Sequence, residues 1–219
     1  MLTFPKGTEF GRRLPKQKFY EHLEVSPEVK RLFVEQVRLI TWANKLSPQT
    51  MNLAAGQQVT EIEVFRLALT GPELDPRVPE LMDRQIPYHI LFLLERPDGQ
   101  MQLTIAFKEA AQTGDNAFRL RQRYATGWRA PEELSLEWDA LDMDGLYESI
   151  VRQIAGDAIA APQAESLKEA VERTQEREKL EKQIAALKAK MKKEKRLNKQ
   201  MELRREIRRL ENVIQRDII

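Results

Sequence analysis

The 219-residue chain contains no cysteine. That excludes a disulfide framework, thiol catalysis and cysteine-ligated zinc or iron–sulfur centres. Histidine is nearly as scarce, with only His22 and His89, too few for a multi-histidine metal site. No apolar run approaches the roughly 20 residues that cross a bilayer. The opening Met-Leu-Thr-Phe-Pro-Lys also lacks the apolar stretch of a signal peptide. A cytoplasmic protein with no membrane partner is the expectation. Gly-rich phosphate loops and a Gly-x-Ser-x-Gly elbow are missing too, and no cofactor or metal is expected.

Scarcity also divides the chain. Aromatic residues end at Tyr147, glycine at Gly156 and proline at Pro162. Residues 163–219 carry 17 Lys/Arg against 11 Asp/Glu, a net +6, so the total of +2 leaves −4 for residues 1–162. Three composition shifts and a charge reversal at nearly one place mark an acidic body, 1–162, and a basic tail, 163–219.

What is present centres on residues 86–108. Ile90 to Leu94 is an uninterrupted apolar run, the pattern of a strand buried on both faces. Pro97, Asp98 and Gly99 supply turn chemistry. Met101, Leu103, Ile105 and Phe107 then alternate with Gln102, Thr104, Ala106 and Lys108, predicting a second strand with one wetter face.

Around this hairpin, residues 1–14 read as an arm, and Pro15 opens a short helix carrying Phe19 and Leu23 inward. Ser26-Pro27-Glu28 is a helix start. Val29, Leu32, Phe33, Gln36, Val37, Ile40 and Thr41 extend it as one amphipathic face to about Asn44. Residues 57–70 are β-rich, with a switch of parity at Val64–Phe65 that suggests a bulge or a change of burial. Asp75-Pro76 starts a short helix through Val78, Leu81 and Met82. Residues 118–128 form a strand, residues 134–138 a further short one, and Asp142 caps a helix with Met143, Leu146, Tyr147, Ile150, Val151 and Ile154 inward. The fold class is α+β: a mainly antiparallel sheet with flanking helices.

The tail adds a long C-terminal coiled-coil helix. Leu180, Ile184, Leu187 and Met191 step by four, three and four, as do Leu203, Ile207, Leu210 and Ile214. The blocks are out of phase, so either a rod with a stutter or a helical hairpin fits; the lack of turn residues favours the rod.

Few residues suggest chemistry. Glu63, Glu95 and Lys108, near strand ends, would suit a metal-dependent nuclease if they converged on one divalent ion, though ordinary strand-end and cross-strand charges are the favoured explanation, with no compact Asp…Glu-x-Lys pattern present. Arg119, Arg121 and Arg123 alternate beside Tyr124 and Trp128, a pattern that suits a nucleic-acid backbone or a protein interface. Lys192, Lys193, Lys195 and Arg196 could track phosphates or simply solvate a helix. His89, opening an apolar strand, reads as a core histidine rather than a general base.

The residues Leu14-Pro-Lys, Ile40-Thr-Trp, Lys45-Leu-Ser-Pro, Phe107-Lys-Glu and above all Ile-Pro-Tyr-His-Ile-Leu-Phe at 86–92 together resemble a bacterial family known only as a domain of unknown function. Members of that family lie beside genes for DNA helicases and DNA methyltransferases in restriction-like and phage-defence loci. The resemblance implies a non-enzymatic adaptor of a DNA-directed complex, docking a helicase or methyltransferase. Assembly, with that partner or with a second copy, would run through the Leu180–Met191 and Leu203–Ile214 positions. A nuclease-like subunit and an architectural DNA binder are the alternatives. No catalytic residue is implied.

Overall fold

A computed structural model of the protein describes residues 2–20, 25–110, 118–159 and 166–216. Its contacts divide into two units, Met1–Gly156 and Asp157–Ile219.

The first unit is built on a six-stranded sheet whose strands lie side by side in chain order: β1 (Glu9–Leu14), β2 (Val37–Leu46), β3 (Ile62–Leu69), β4 (His89–Glu95), β5 (Met101–Ala110) and β6 (Phe118–Ala125). All neighbours are antiparallel except β3 and β4, which are parallel. A parallel pair needs a crossover, and α3 (Arg77–Gln85) supplies it. The sheet is therefore α+β and mainly antiparallel.

The β4–β5 hairpin forms as its turn chemistry predicts. Gly99 takes φ 84°, and its N–H donates to Arg96 O at 3.0 Å. The wetter face expected of β5 shrinks to the half-buried Gln102, because Thr104, Ala106 and Lys108 are all buried. Helices cover both sides of the sheet. On one side, α1 (Pro27–Gln36) and α3 enclose a core of Phe33, Val37, Ile40, Phe65, Leu67, Val78, Met82 and Phe92. On the other, α4 (Met143–Ala155) buries the six inward residues its spacing predicts, capped by Asp142, whose carboxylate accepts from Gly145 N at 2.8 Å.

The largest departure from the sequence reading is residues 37–44. They form strand β2, not the end of a helix; α1 stops at Gln36. The register shows why the two were confused. Between the pairs Val37–Leu69 and Leu39–Ala68, β2 carries one extra residue, Arg38. That bulge turns Val37 and Ile40, three apart, onto the same core face, which imitates helical spacing. A second bulge lies between Trp42 and Asn44. The parity switch at Val64–Phe65 thus marks irregularity in the partner strand, while β3 itself is buried along both faces except at Arg66.

Three smaller corrections follow. The arm is edge strand β1, kinked at Gly11 with φ 62°. Residues 134–138 are not a strand, although Leu134 is buried. Ser47-Pro48 starts a short helix, α2 (Pro48–Met51), whose N-terminus carries a reciprocal Ser47–Thr50 cap. Phe19 is buried as expected, whereas Leu23 lies outside the described residues.

The second unit holds two helices, α5 (Leu167–Lys193) and α6 (Leu197–Arg216), packed against each other. The tail is a helical hairpin rather than a rod. Its break needs neither Gly nor Pro, because Glu194 makes it. Glu194 leaves the helix at φ −77°, ψ 129°, its carboxylate accepts from Arg196 N at 2.9 Å, and its carbonyl accepts from Gln200 Nε2 at 2.6 Å. Lys188 Nζ reaches Glu211 Oε1 at 2.7 Å across the pair. The four-three-four step reads the same in both directions, so antiparallel helices bring both apolar blocks to one seam.

Candidate functional site

A buried constellation of ionisable groups lies where α3, β5 and β6 meet. Asp83 projects from α3 at 2% exposure and Lys108 from β5 at 3%. Lys108 Nζ lies 2.8 Å from Asp83 Oδ1 and donates to Tyr88 O at 2.7 Å and Asp83 O at 3.1 Å. The other carboxylate oxygen, Asp83 Oδ2, accepts from Arg123 Nη2 on β6. Arg123 also lies over the Phe92 ring at 5.4 Å, and Lys108 over Phe118 at 5.7 Å. One anion thus holds two cations in a nearly dry place. Burial pushes the Lys108 ammonium below the usual lysine range, an effect that Asp83 opposes.

Two aromatic partners complete the cluster. The Tyr147 hydroxyl donates to Ala106 O and accepts from Lys108 N, at 2.8 and 2.9 Å. It plugs the backbone beside the β5–β6 irregularity at Phe107–Lys108. Burial raises its hydroxyl far above the ordinary phenol range. His89 stands against Tyr147 and Phe118, with ring centroids at 4.2 and 4.9 Å. Burial first, and then the Lys108 charge, lower its pKa to about 3. It stays neutral throughout the physiological range, as a core histidine does.

Chemically, this arrangement is a lock. The Lys108 ammonium donates to two backbone carbonyls and sits against the Asp83 carboxylate, and a general base needs a free lone pair. Breaking the lock would strand a buried charge, so the cluster fixes α3 and β6 to β5.

The three nuclease candidates are not brought together. Glu63 and Lys108 point to the α1/α3 side of the sheet. Glu95, in register with Ala68 and Met101, points to the other. Lys108 also bonds at the Tyr88 end of β4, roughly 20 Å along the strand from Glu95. Glu63 is 2% exposed and accepts from Trp42 Nε1 at 2.7 Å. Burial raises its pKa to about 7, against that hydrogen bond. Among the described residues, no three acidic or histidine side chains gather in a way that would hold a metal ion.

Nor do the three arginines of β6 form a row. Arg121 is the extra residue of a bulge between Leu120 and Gln122, so the alternation is broken. Arg123 faces Asp83, Arg121 pairs with Glu109 at 2.5 Å, and the exposed Arg119 falls on the face opposite Arg123. By contrast, Lys192, Lys193, Lys195 and Arg196 are all exposed at the turn of the hairpin, beside Lys190 and Lys199. Of the seam positions, Ile184 and Ile207 are buried. Leu180, Leu187, Met191, Leu203, Leu210 and Ile214 are half-buried.

Asp83 was missed by the sequence reading. Its signal was faint: one acidic residue directly after Met82 on the inward stripe of a short helix. A family model described as "Domain of unknown function (DUF4391)" matches residues 2–214. No curated protein and no solved structure matches the chain.

Proposed function

We propose that the chain, which belongs to the DUF4391 family, works as a non-enzymatic accessory subunit of a DNA-directed bacterial defence complex. Its helical hairpin would hold a helicase or methyltransferase partner. The observation that carries this reading is the half-buried seam. Among the described seam positions, Ile184 and Ile207 are buried, while six further apolar residues stay half-exposed on either side. An added helix, making a three- or four-helix coiled-coil bundle, is what such a seam accepts. The body supports the same reading, because Lys108, Asp83 and Arg123 are committed to one another.

The test is purification of the tagged chain from its native host after nuclease treatment, with Leu187→Asp/Leu203→Asp in parallel. Stoichiometric recovery of a helicase or methyltransferase with the native chain, lost in the variant, is the expected result. Recovery of the same protein with the variant would remove the hairpin from the assembly. Recovery of the native chain alone would overturn the proposal.

A second reading rests on the cationic hairpin turn. Six Lys/Arg within ten residues would attract a phosphate backbone, although the three that end α5 also complement its helix dipole.

A further inference from the structure

Arg66 is the one exposed residue of β3, a strand inside the sheet whose other seven residues are buried. An arginine there is not an edge-protecting charge, and it is not alone. The register aligns Arg13 of β1 with Thr41 of β2, and Thr41 with Arg66 of β3. The three therefore stand in a cross-strand row on one face, opposite the side that α1 and α3 cover. The exposed Arg38, extruded by the first β2 bulge, joins Arg13 beside a depression of about 420 Å³ lined also by Leu14, Leu39 and Ile40. Among the described residues, none of these three guanidiniums has an ion-pair or hydrogen-bond partner. The neighbouring Lys16 behaves differently: its Nζ donates to Val37 O at 2.7 Å and Val34 O at 3.1 Å, closing the end of α1. On this face Glu95 sits one diagonal step from Arg66, and Glu9 lies at the far end of β1.

We infer that Arg13, Arg38 and Arg66, with Thr41 between two of them, form a contact surface for the phosphodiester backbone of a nucleic acid. Arg13 and Arg66 are not directly opposed, since Thr41 stands between them, but their charges add to one local positive field that attracts anions. In a body of net charge −4, three guanidiniums on one face call for an anionic occupant. Arg13 and Arg66 lie two strand spacings apart, about 10 Å, so they meet separate phosphates rather than one small anion. Guanidinium forks match phosphate oxygens two at a time, and the Thr41 hydroxyl adds a donor. Contacts of this kind position a strand without reading its sequence. This surface is argued without the hairpin, so the two readings fail separately.

The test is fluorescence anisotropy of the full chain with 20-nucleotide single-stranded DNA and RNA of mixed sequence and a 20-bp duplex, across a salt series. Wild type, Arg13→Ala/Arg66→Ala, Arg66→Lys and, as a control on the opposite side, Arg84→Ala are compared. Each lost phosphate contact lowers the slope of log affinity against log salt by about 1. The double variant is therefore expected to lose about 2 from the slope and roughly tenfold or more in affinity at low salt. Arg66→Lys should fall between, and Arg84→Ala should match wild type. An unchanged slope in the double variant, or no binding by wild type at low salt, overturns the inference. So does a poly-glutamate of equal charge that competes as well as the oligonucleotide, since the surface would then suit an acidic peptide.

Discussion

Asp83 holds two cations, and removing either kind of partner has unequal consequences. Asp83→Ala leaves Lys108 and Arg123 facing each other without an anion, and a loss of about 3–5 kcal/mol is expected. Lys108→Met keeps the Asp83–Arg123 pair and the apolar stem, so its cost should be smaller, about 1–2 kcal/mol. Urea denaturation of both variants decides the matter; equal losses would mean that the cluster is not organised around the carboxylate. Glu63 makes a pH-dependent statement. Its folded-state pKa is raised to about 7, so the folded protein binds this proton more tightly than the unfolded chain does. The stabilisation is complete below the ordinary carboxyl range, declines as pH rises from about 4.5, and is lost above about 7. Melting temperatures across that window should fall more steeply in the native protein than in Glu63→Gln, and parallel curves would refute the assignment. At this scale the sequence was only partly legible. His89 could be read as a core residue because its apolar neighbours give its setting. The Lys108 partner could not, because Asp83 is 25 residues away and joined only by the fold.

Elements were most legible where local chemistry alone decides them. The Ser26 and Asp142 helix starts and the Pro97–Gly99 turn are all made by neighbouring residues, whose side chains bond the adjacent backbone. β2 was misread because its bulge at Arg38 is a property of pairing with β3, and pairing leaves no mark on a single strand. Glu194 ends α5 by bonding its own neighbours, a break that composition does not flag. The segment before β3 provides a test at this level. Asp144 of α4 accepts from the N–H groups of Gln57, Gln58 and Val59 at 2.7, 3.1 and 2.7 Å. Gly56 lies so close that an added Cβ would meet Asp144 Oδ1 at 2.5 Å and Val59 O at 2.6 Å. Gly56→Ala and Asp144→Ala should each destabilise by about 2 kcal/mol, the worth of a charge-assisted backbone cradle. The double variant should cost much less than the sum, since both changes undo one contact. Additive losses in a denaturation cycle would show that the two act independently.

For the whole molecule, the charge reversal and the loss of aromatic residues, Gly and Pro put a sequence boundary after residue 162, and the contacts divide at Gly156–Asp157. The hairpin could not be told from a rod, because a palindromic apolar step serves both. A chain ending at residue 162 is expected to keep a single cooperative melt near that of the full-length protein, monitored by tryptophan fluorescence. All three Trp, at 42, 128 and 138, lie in the body. A truncated chain without a cooperative transition would show that the body depends on the tail. The order of the sheet has one more consequence. Because each strand lies beside its predecessor in the chain, every pairing can close soon after its second strand leaves the ribosome. Such a sheet grows by accretion from the N-terminus, with each loop closed before the next begins. The β1–β2 step waits for α1, and the parallel β3–β4 step for α3, to emerge between the strands. A nascent chain stalled there would present an open apolar edge, the moment in synthesis when chaperone protection matters most.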